Sequence, residues 1–574
     1  MLSNQSRITE LSRRKFVRSS LVALPALAAG RSVATPDDSV DDDSLTTTDI
    51  EAAERLVDLS FSDEERNLML EDLAARLDEF AQLREHEASP DIPPALVFDP
   101  RIGGESIPGG DSAVAWGAVA DTGSLSDDDL AFAGVAALGE MIRTKVISAR
   151  SLTELFIRRL RRFDSRLQAV VTVTEERALE QADRADREIA AGQYRGPLHG
   201  IPYGAKDLLS ARRYPTTWGA TPYRDQIIDE DAAVIKRLDD AGAVLVAKLT
   251  LGALAWGDVW FGGKTRNPWN LDEGSSGSSA GPGSAVSAGL VPFAIGSETY
   301  GSIVSPSTRN GVTGHRPTFG LVSRSGAMAL SWSMDKLGPM CRSALDCAIV
   351  FDTIRGADPR DPATVNAPFT FDAAQDVREL RVGYVEASFK ADYKNQQADN
   401  ETLRVLREEL TIDLQPVVLP VDLPIDAMLI ILSAEAAAAF DGLTRSRGID
   451  SMVRQERNAW PNVFRSSRFI PAVEYLQANR IRSVLLKRMA NLMENFDVIV
   501  SPAFEGKALA LTNLTGHPAV CVPNAFHSVE GNARRKSPGS VTFLSGLYRD
   551  GAALALAHAY QQVTDFHLRR PPVI

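Results

Sequence analysis

Thirty-four residues in the middle of this 574-residue chain, GSSGSSAGPGSAVSAGLVPFAIGSETYGSIVSPS from Gly274 to Ser307, hold ten serines and seven glycines. Gly/Ser-rich sequence by itself reads as a flexible linker, because it has little apolar surface to bury. Leu290–Ile295 excludes that reading: an apolar, strand-like run in mid-body belongs in a core. The serines and glycines on either side of it must therefore fold against a sheet. Glycines allow close approach of backbone to backbone or ligand, and successive N–H groups in such turns form anion-binding concavities. Chemistry that passes through a tetrahedral oxyanion requires that feature.

The surrounding sequence alternates helical and strand-like patterns from about Leu125 onward. Ser151-Leu-Thr-Glu154 has the form of a capping box opening a helix that runs through Phe163. Val170–Thr174 is β-branched and strand-like, and Glu175–Ala191 is a charged amphipathic helix. Asp231–Gly242 predicts a helix leading into an apolar strand, Ala243–Lys248. Short strands are expected at Arg381–Tyr384, Val417–Leu419 and Val498–Val500, with helices around Glu401–Leu410 and Gly551–Phe566. Buried apolar strands alternating with helices predict an α/β fold, a large mixed, twisted sheet covered by helices on both faces.

The N-terminus reads differently. Ser12–Val17 is SRRKFV, followed by the apolar run Leu21–Ala29 and the small-x-small step Ser32-Val33-Ala34. That order predicts a signal peptide over residues 1–34, and Arg13-Arg14 resembles the twin-arginine export signal, placing the mature protein in the periplasm or outside the cell. The apolar run is too short to span a bilayer, so no stable membrane insertion is expected after cleavage. Residues 35–125 then read as an acidic linker (Asp37–Thr48), a small helical appendage with apolar spacing over 49–86, and Pro/Gly-rich sequence from Pro90 to Gly123. The main body is expected over 126–574.

Charge and cysteine content narrow the chemistry. The chain has a formal net charge of −13. The first 35 residues hold six basic residues and one acid, so the remainder carries −18. A body so acidic repels phosphate backbones, and no nucleic acid is expected as partner. Cys341, Cys347 and Cys521 form no disulfide framework and have no metal-ligand spacing, and read as free core thiols. The seven histidines are scattered, with no HExxH. Neither metal nor other cofactor is called for.

Two serine chemistries compete. GSSAG, Gly277–Gly281, fits the G-x-S-x-G elbow string with Ser279 at its centre, but a turn-rich TRNPWNLDEGSS precedes it where a strand is needed. A serine is also activated by a lysine held neutral. Lys206 in GIPYGAKDLLS follows a strand-like Tyr203–Ala205, although a lysine beside Asp207 also reads as a surface ion pair.

GIPYGAKDLL, the stretch ending in GSETYGSIVSPS, and GVTGHRPTFGLVSRSG (Gly311–Gly326) together resemble the amidase signature family. KLGPMCRSALDCAIVFDTIRGAD (Lys336–Asp358), FDVIVSPA (Phe496–Ala503) and LTNLTGHPAVCVP (Leu511–Pro523) extend the likeness over roughly residues 126–574. The resemblance implies a Ser-Ser-Lys triad. Ser302 of the Gly-Ser-Ile step is the nucleophile, Ser278 the bridging serine in a cis peptide, and Lys206 the base. The backbone N–H groups of Thr299, Tyr300, Gly301 and Ser302 are the oxyanion donors. It further implies hydrolysis of a small-molecule or peptide amide to carboxylate plus ammonia or amine through a serine acyl-enzyme. Two positions depart from the pattern: Tyr300 stands where relatives have glycine, and Val304 where many have arginine. The competing readings are a catalytically inactive binding protein on the same fold and an amidotransferase A-type subunit that takes ammonia from glutamine.

Overall fold

The computed structural model describes residues 45–85, 92, 94–118, 123 and 125–572. The export signal read at residues 1–34 lies outside them.

Eleven strands form one sheet. In chain order they are β1 (Val170–Val173), β2 (Pro202–Lys206), β3 (Val244–Leu249), β4 (Phe293–Glu298), β5 (Thr313–Arg316), β6 (Lys336–Cys341), β7 (Val382–Tyr384), β8 (Leu414–Pro416), β9 (Val498–Pro502), β10 (Ala519–Val529) and β11 (Asn532–Ser545). Their spatial order is β8-β7-β9-β11-β10-β5-β6-β4-β2-β3-β1. β2 lies parallel to both β3 and β4, whereas β4–β6, β6–β5 and β5–β10 are antiparallel, so the sheet is mixed.

Successive side chains of a strand point to opposite faces, and the buried residues divide accordingly. Leu245, Phe293, Ile295 and Leu337 belong to one apolar cluster, while Val244, Val246, Ala294 and Met340 belong to another. A sheet with a core on each face must be flanked by helices on both, and the near-continuous apolar runs of β3 and β4 follow from that burial. This is the expected α/β architecture.

Local differences from the sequence reading have plain causes. The helix expected from Ser151 begins at Ala149: Ser148, not Ser151, is the N-cap and its side chain accepts from Ser151 N. Asp186 accepts from the N–H groups of Ala149 and Arg150 at 2.7 and 3.0 Å, and Glu154 pairs with Arg150 rather than reaching back to the cap. The strand expected at Val417–Leu419 falls at Leu414–Pro416, where the backbone pairs with β7. Val417 and Leu419 are buried beyond its end. The apolar run Leu290–Ile295 turns before it extends, and the strand is Phe293–Glu298, carrying two polar residues into the core.

In the N-terminal part, helices α1 (Thr47–Val57) and α2 (Asp63–Glu85) are present, and Arg66 bridges to Glu54 at 2.8 Å. The segment 94–118 packs on the main body. Ala113–Ala115 pairs with Thr370–Asp372, the Phe98 ring lies 3.5 Å from the Arg482 guanidinium, and Glu105 accepts from Leu547 N at 2.8 Å. Its Pro/Gly-rich composition concealed that role.

Candidate functional site

β2 ends at Lys206, and the alternation along it decides what the lysine does. Lys206 and Asp207 are adjacent and both fully buried, yet they face different partners. Asp207 pairs with Lys248 of β3 at 2.7 Å and accepts from Thr217 N at 2.9 Å. The surface ion pair between Lys206 and Asp207 does not form.

Lys206 instead meets serines. Its Nζ lies 2.7 Å from Ser278 Oγ, 2.8 Å from Ser297 Oγ and 3.0 Å from Ser279 Oγ. Burial pushes its pKa well below that of a free lysine, although Asp335 and Glu298 pull it back toward the charged form. A neutral amine in this place is a proton acceptor. Ser297 was missed in the sequence; its only signal is its position near the end of the strand that leads into the Gly-Ser-Ile step.

Ser278 and Ser279 occupy the turn into helix α3 (Ala280–Ser287), and the Gly277–Ser278 peptide bond is cis. A Cβ on Gly277 would lie 1.8 Å from the Gly257 carbonyl oxygen, so only glycine passes there. A short antiparallel pair, Arg266–Asn267 with Asn270–Gly274, precedes this turn, so the context before Ser279 is more strand-like than the sequence suggests. Ser279 is nevertheless fully buried, its Oγ donating to Ser297 O at 3.0 Å and accepting from Ser297 N at 3.1 Å.

Ser302 sits in the turn between β4 and helix α4 (Val304–Asn310), half-buried and lining a cleft of about 280 Å³. Gly301 has φ +86°, a left-handed conformation that favours glycine. Among the described residues, the N–H groups of Thr299, Tyr300, Gly301 and Ser302 donate no hydrogen bond. The next two amides are taken: Glu298 Oε2 accepts from Ile303 N at 2.8 Å and Val304 N at 2.9 Å. Ser276 Oγ and Ser305 Oγ, 2.7 Å apart, tie the two serine-rich turns together, as does Ser279 N donating to Ser302 O at 3.2 Å. No hydrogen bond joins Ser278 Oγ to Ser302 Oγ among the described residues.

Glu298 is the second residue the sequence reading passed over. Its other oxygen accepts from Arg316 Nη1 and Asn513 Nδ2, both at 2.8 Å. Burial alone would raise its pKa, but the Arg316 guanidinium and the N–H groups of the turn hold it down at about 2. Arg316 also donates to Thr512 Oγ1 at 2.8 Å and His517 O at 2.9 Å. Partners 18 and 215 residues away from Glu298 give no local signal, though each lies in a segment that carries the family resemblance. On the opposite side, Thr299 Oγ1 donates to Asp335 at 2.5 Å. Among the described residues, no group of three or more His, Cys, Asp or Glu side chains is placed to hold a metal ion.

Fold and cluster together define a class: mixed-sheet α/β proteins that bury a lysine among serines beneath a turn of unpartnered amides. Within that class the chain belongs to the Amidase family, whose family model matches residues 151–528 and whose enzymes hydrolyse amide C–N bonds. It is 31% identical over 477 residues to the glutamyl-tRNA(Gln) amidotransferase A subunit of Alcanivorax borkumensis, covering 74% of this chain and 95% of that one. The corresponding protein of Moorella thermoacetica is 31% identical over 481 residues, 76% and 97% of the two chains. Among solved structures, the native peptide amidase of Stenotrophomonas maltophilia superposes with a TM-score of 0.65 at 28% identity, covering 76% of this chain and 98% of that one.

Proposed function

We propose that the chain is an exported amidase that hydrolyses a carboxamide C–N bond to a carboxylate plus ammonia or amine, with Ser302, Ser278 and Lys206 as its triad. The observation that carries this reading is the 2.7 Å contact of a fully buried, pKa-depressed Lys206 with Ser278 Oγ. Neutral Lys206 takes a proton from Ser278, and Ser278 takes one from Ser302 as its oxygen attacks the amide carbonyl. The unpartnered N–H groups at 299–302 receive the oxyanion. The protons return through Ser278 to the leaving nitrogen, and water then cleaves the acyl-enzyme at its ester bond, releasing the carboxylate and restoring Ser302.

Release of ammonia or arylamine from a panel of primary amides, anilides and peptide amides tests the reading. Ser302→Ala should lose about 10³-fold or more in turnover, since the nucleophile is gone and little packing changes. A dead Ser279→Ala protein beside an active Ser302→Ala protein would assign the nucleophile to the elbow string instead.

A second reading, an amidotransferase A-type subunit, is favoured by the names of the curated relatives. It requires a glutaminase activity, so release of ammonia from glutamine in preference to every other amide of the panel would select it. The export signal read in the sequence favours the first.

A further inference from the structure

The cleft in front of Ser302 has one charged side chain in its wall among the described residues, Arg454. It arrives from the loop that precedes the helix Trp460–Ser467, far in sequence from the serine-rich turns. Its Nε donates to Glu456 at 2.6 Å, which fixes one edge of the guanidinium. The other edge is free: Nη1 and Nη2 donate to nothing among the described residues. Nη1 lies 3.3 Å from the place a Cβ on Gly257 would occupy, and the Gly257 carbonyl is the group that crowds Gly277, next to Ser278. The guanidinium thus overhangs the backbone that carries the bridging serine.

Beside Arg454 the lining carries the rings of Trp256, Tyr300 and Trp460, together with the polar Ser276, Thr299 and Asn458. Trp460 donates through its indole N–H to Leu254 O at 2.7 Å and stacks on Phe464 with centroids 5.1 Å apart. Trp256 leans on Trp460 at 5.5 Å, and it and Tyr300 remain 37% and 40% exposed at the rim. A wall with three aromatic rings and a single charged side chain, whose guanidinium has one edge unpaired, suits a planar or apolar group that ends in an anion. Arginine's fork matches a carboxylate with two parallel hydrogen bonds.

We propose that Arg454 anchors a carboxylate carried by the substrate, so that the amides this cleft selects are those bearing a carboxylate beyond the scissile bond. The inference rests on the amidase reading and names its substrate class.

The test uses two matched pairs of amides, because the carboxylate sits on either the acyl or the amine portion. Succinic acid mono-4-nitroanilide is compared with butyric acid 4-nitroanilide, and 4-acetamidobenzoate with 4-methylacetanilide, by release of the arylamine. In one pair the charged member should exceed its neutral partner by about 10- to 100-fold in kcat/KM, the span of a charge-assisted hydrogen-bond pair, chiefly through KM. Arg454→Gln should bring the two members of that pair level, and Arg454→Lys, which keeps the charge without the fork, should restore part of the preference. The ratio is taken within each variant, so loss of folded protein cancels. Charged members no better than neutral ones in both pairs, or a preference that survives Arg454→Gln, overturns the anchor.

The same four compounds titrated calorimetrically into Ser302→Ala protein separate the two readings. Tighter binding of a carboxylate, abolished by Arg454→Gln, sustains the anchor even if no amide is turned over, and then only the hydrolytic reading falls. Equal binding within both pairs overturns the anchor.

Discussion

Replacing Glu298 with glutamine should unfold the site from below without altering any residue of the proposed triad. The carboxylate accepts four hydrogen bonds, two from Ile303 and Val304 and two from Arg316 and Asn513. A carboxamide has one acceptor oxygen and one NH2, so in either orientation the NH2 faces two donors. Arg316, itself fully buried, also loses its counter-charge, and Lys336 lies opposite residue 298 in the β4–β6 ladder. Breaking a buried ion pair from one side costs about 3–5 kcal/mol, a large share of the roughly 5–15 kcal/mol that holds a domain folded. Urea unfolding at pH 7, followed by tryptophan fluorescence, should show the unfolding free energy fall by that amount, through a lower midpoint with little change in slope. Turnover per folded molecule should fall as well, because the same carboxylate fixes the turn bearing Ser302. In the folded protein the Glu298 carboxyl is held at about 2, below the 4.5 of an ordinary glutamate. The stability Glu298 contributes is present above the ordinary carboxylate range and is lost as pH drops through about 2, so wild type and variant should converge toward that limit. A Glu298→Gln protein within about 1 kcal/mol of wild type and fully active would refute the argument.

Other outcomes follow from the same geometry. Lys206→Arg should be as inactive as Lys206→Met, because a guanidinium stays protonated; wild-type activity should rise with pH along a limb on the acid side of free lysine's 10.5, as burial requires, and the variants should lack it. An active Lys206→Arg enzyme would remove the lysine from proton transfer. Gly277→Ala, whose Cβ meets a backbone carbonyl at 1.8 Å, should cost about 1–3 kcal/mol or more in thermal or urea unfolding and abolish turnover. Replacing both Arg13 and Arg14 with lysine should leave the precursor inside the cell, read by fractionation and N-terminal sequencing; unchanged secretion would remove the twin-arginine assignment.

The sequence was most informative where spacing and composition are local. The apolar runs of β3 and β4 mark strands of the sheet, and the serine-rich turns and Lys206 stand out in their own segments; the structure brings Lys206, Ser278 and Ser297 within hydrogen-bond reach. What stayed hidden depends on contacts across the chain. That Asp207 serves Lys248 rather than Lys206 follows from the pleat of a strand whose exact ends the sequence did not fix. The Ser148 cap outcompetes the Ser151 pattern because Asp186, on a neighbouring helix, takes the first free N–H groups. Glu298, Arg316 and Asn513 are each unremarkable in their own segments and acquire meaning only as one buried assembly.

That assembly bears on what the cleft does with a permanent anion. A short helix beginning just after Ser302 would ordinarily draw negative charge to its first amides. Here an internal carboxylate already occupies the amides of Ile303 and Val304. A lasting carboxylate therefore finds the first amides of this helix already filled, and the open N–H groups are the four of residues 299–302. On the proposed mechanism, the charge that forms during attack rests on those four amides and not on the helix end.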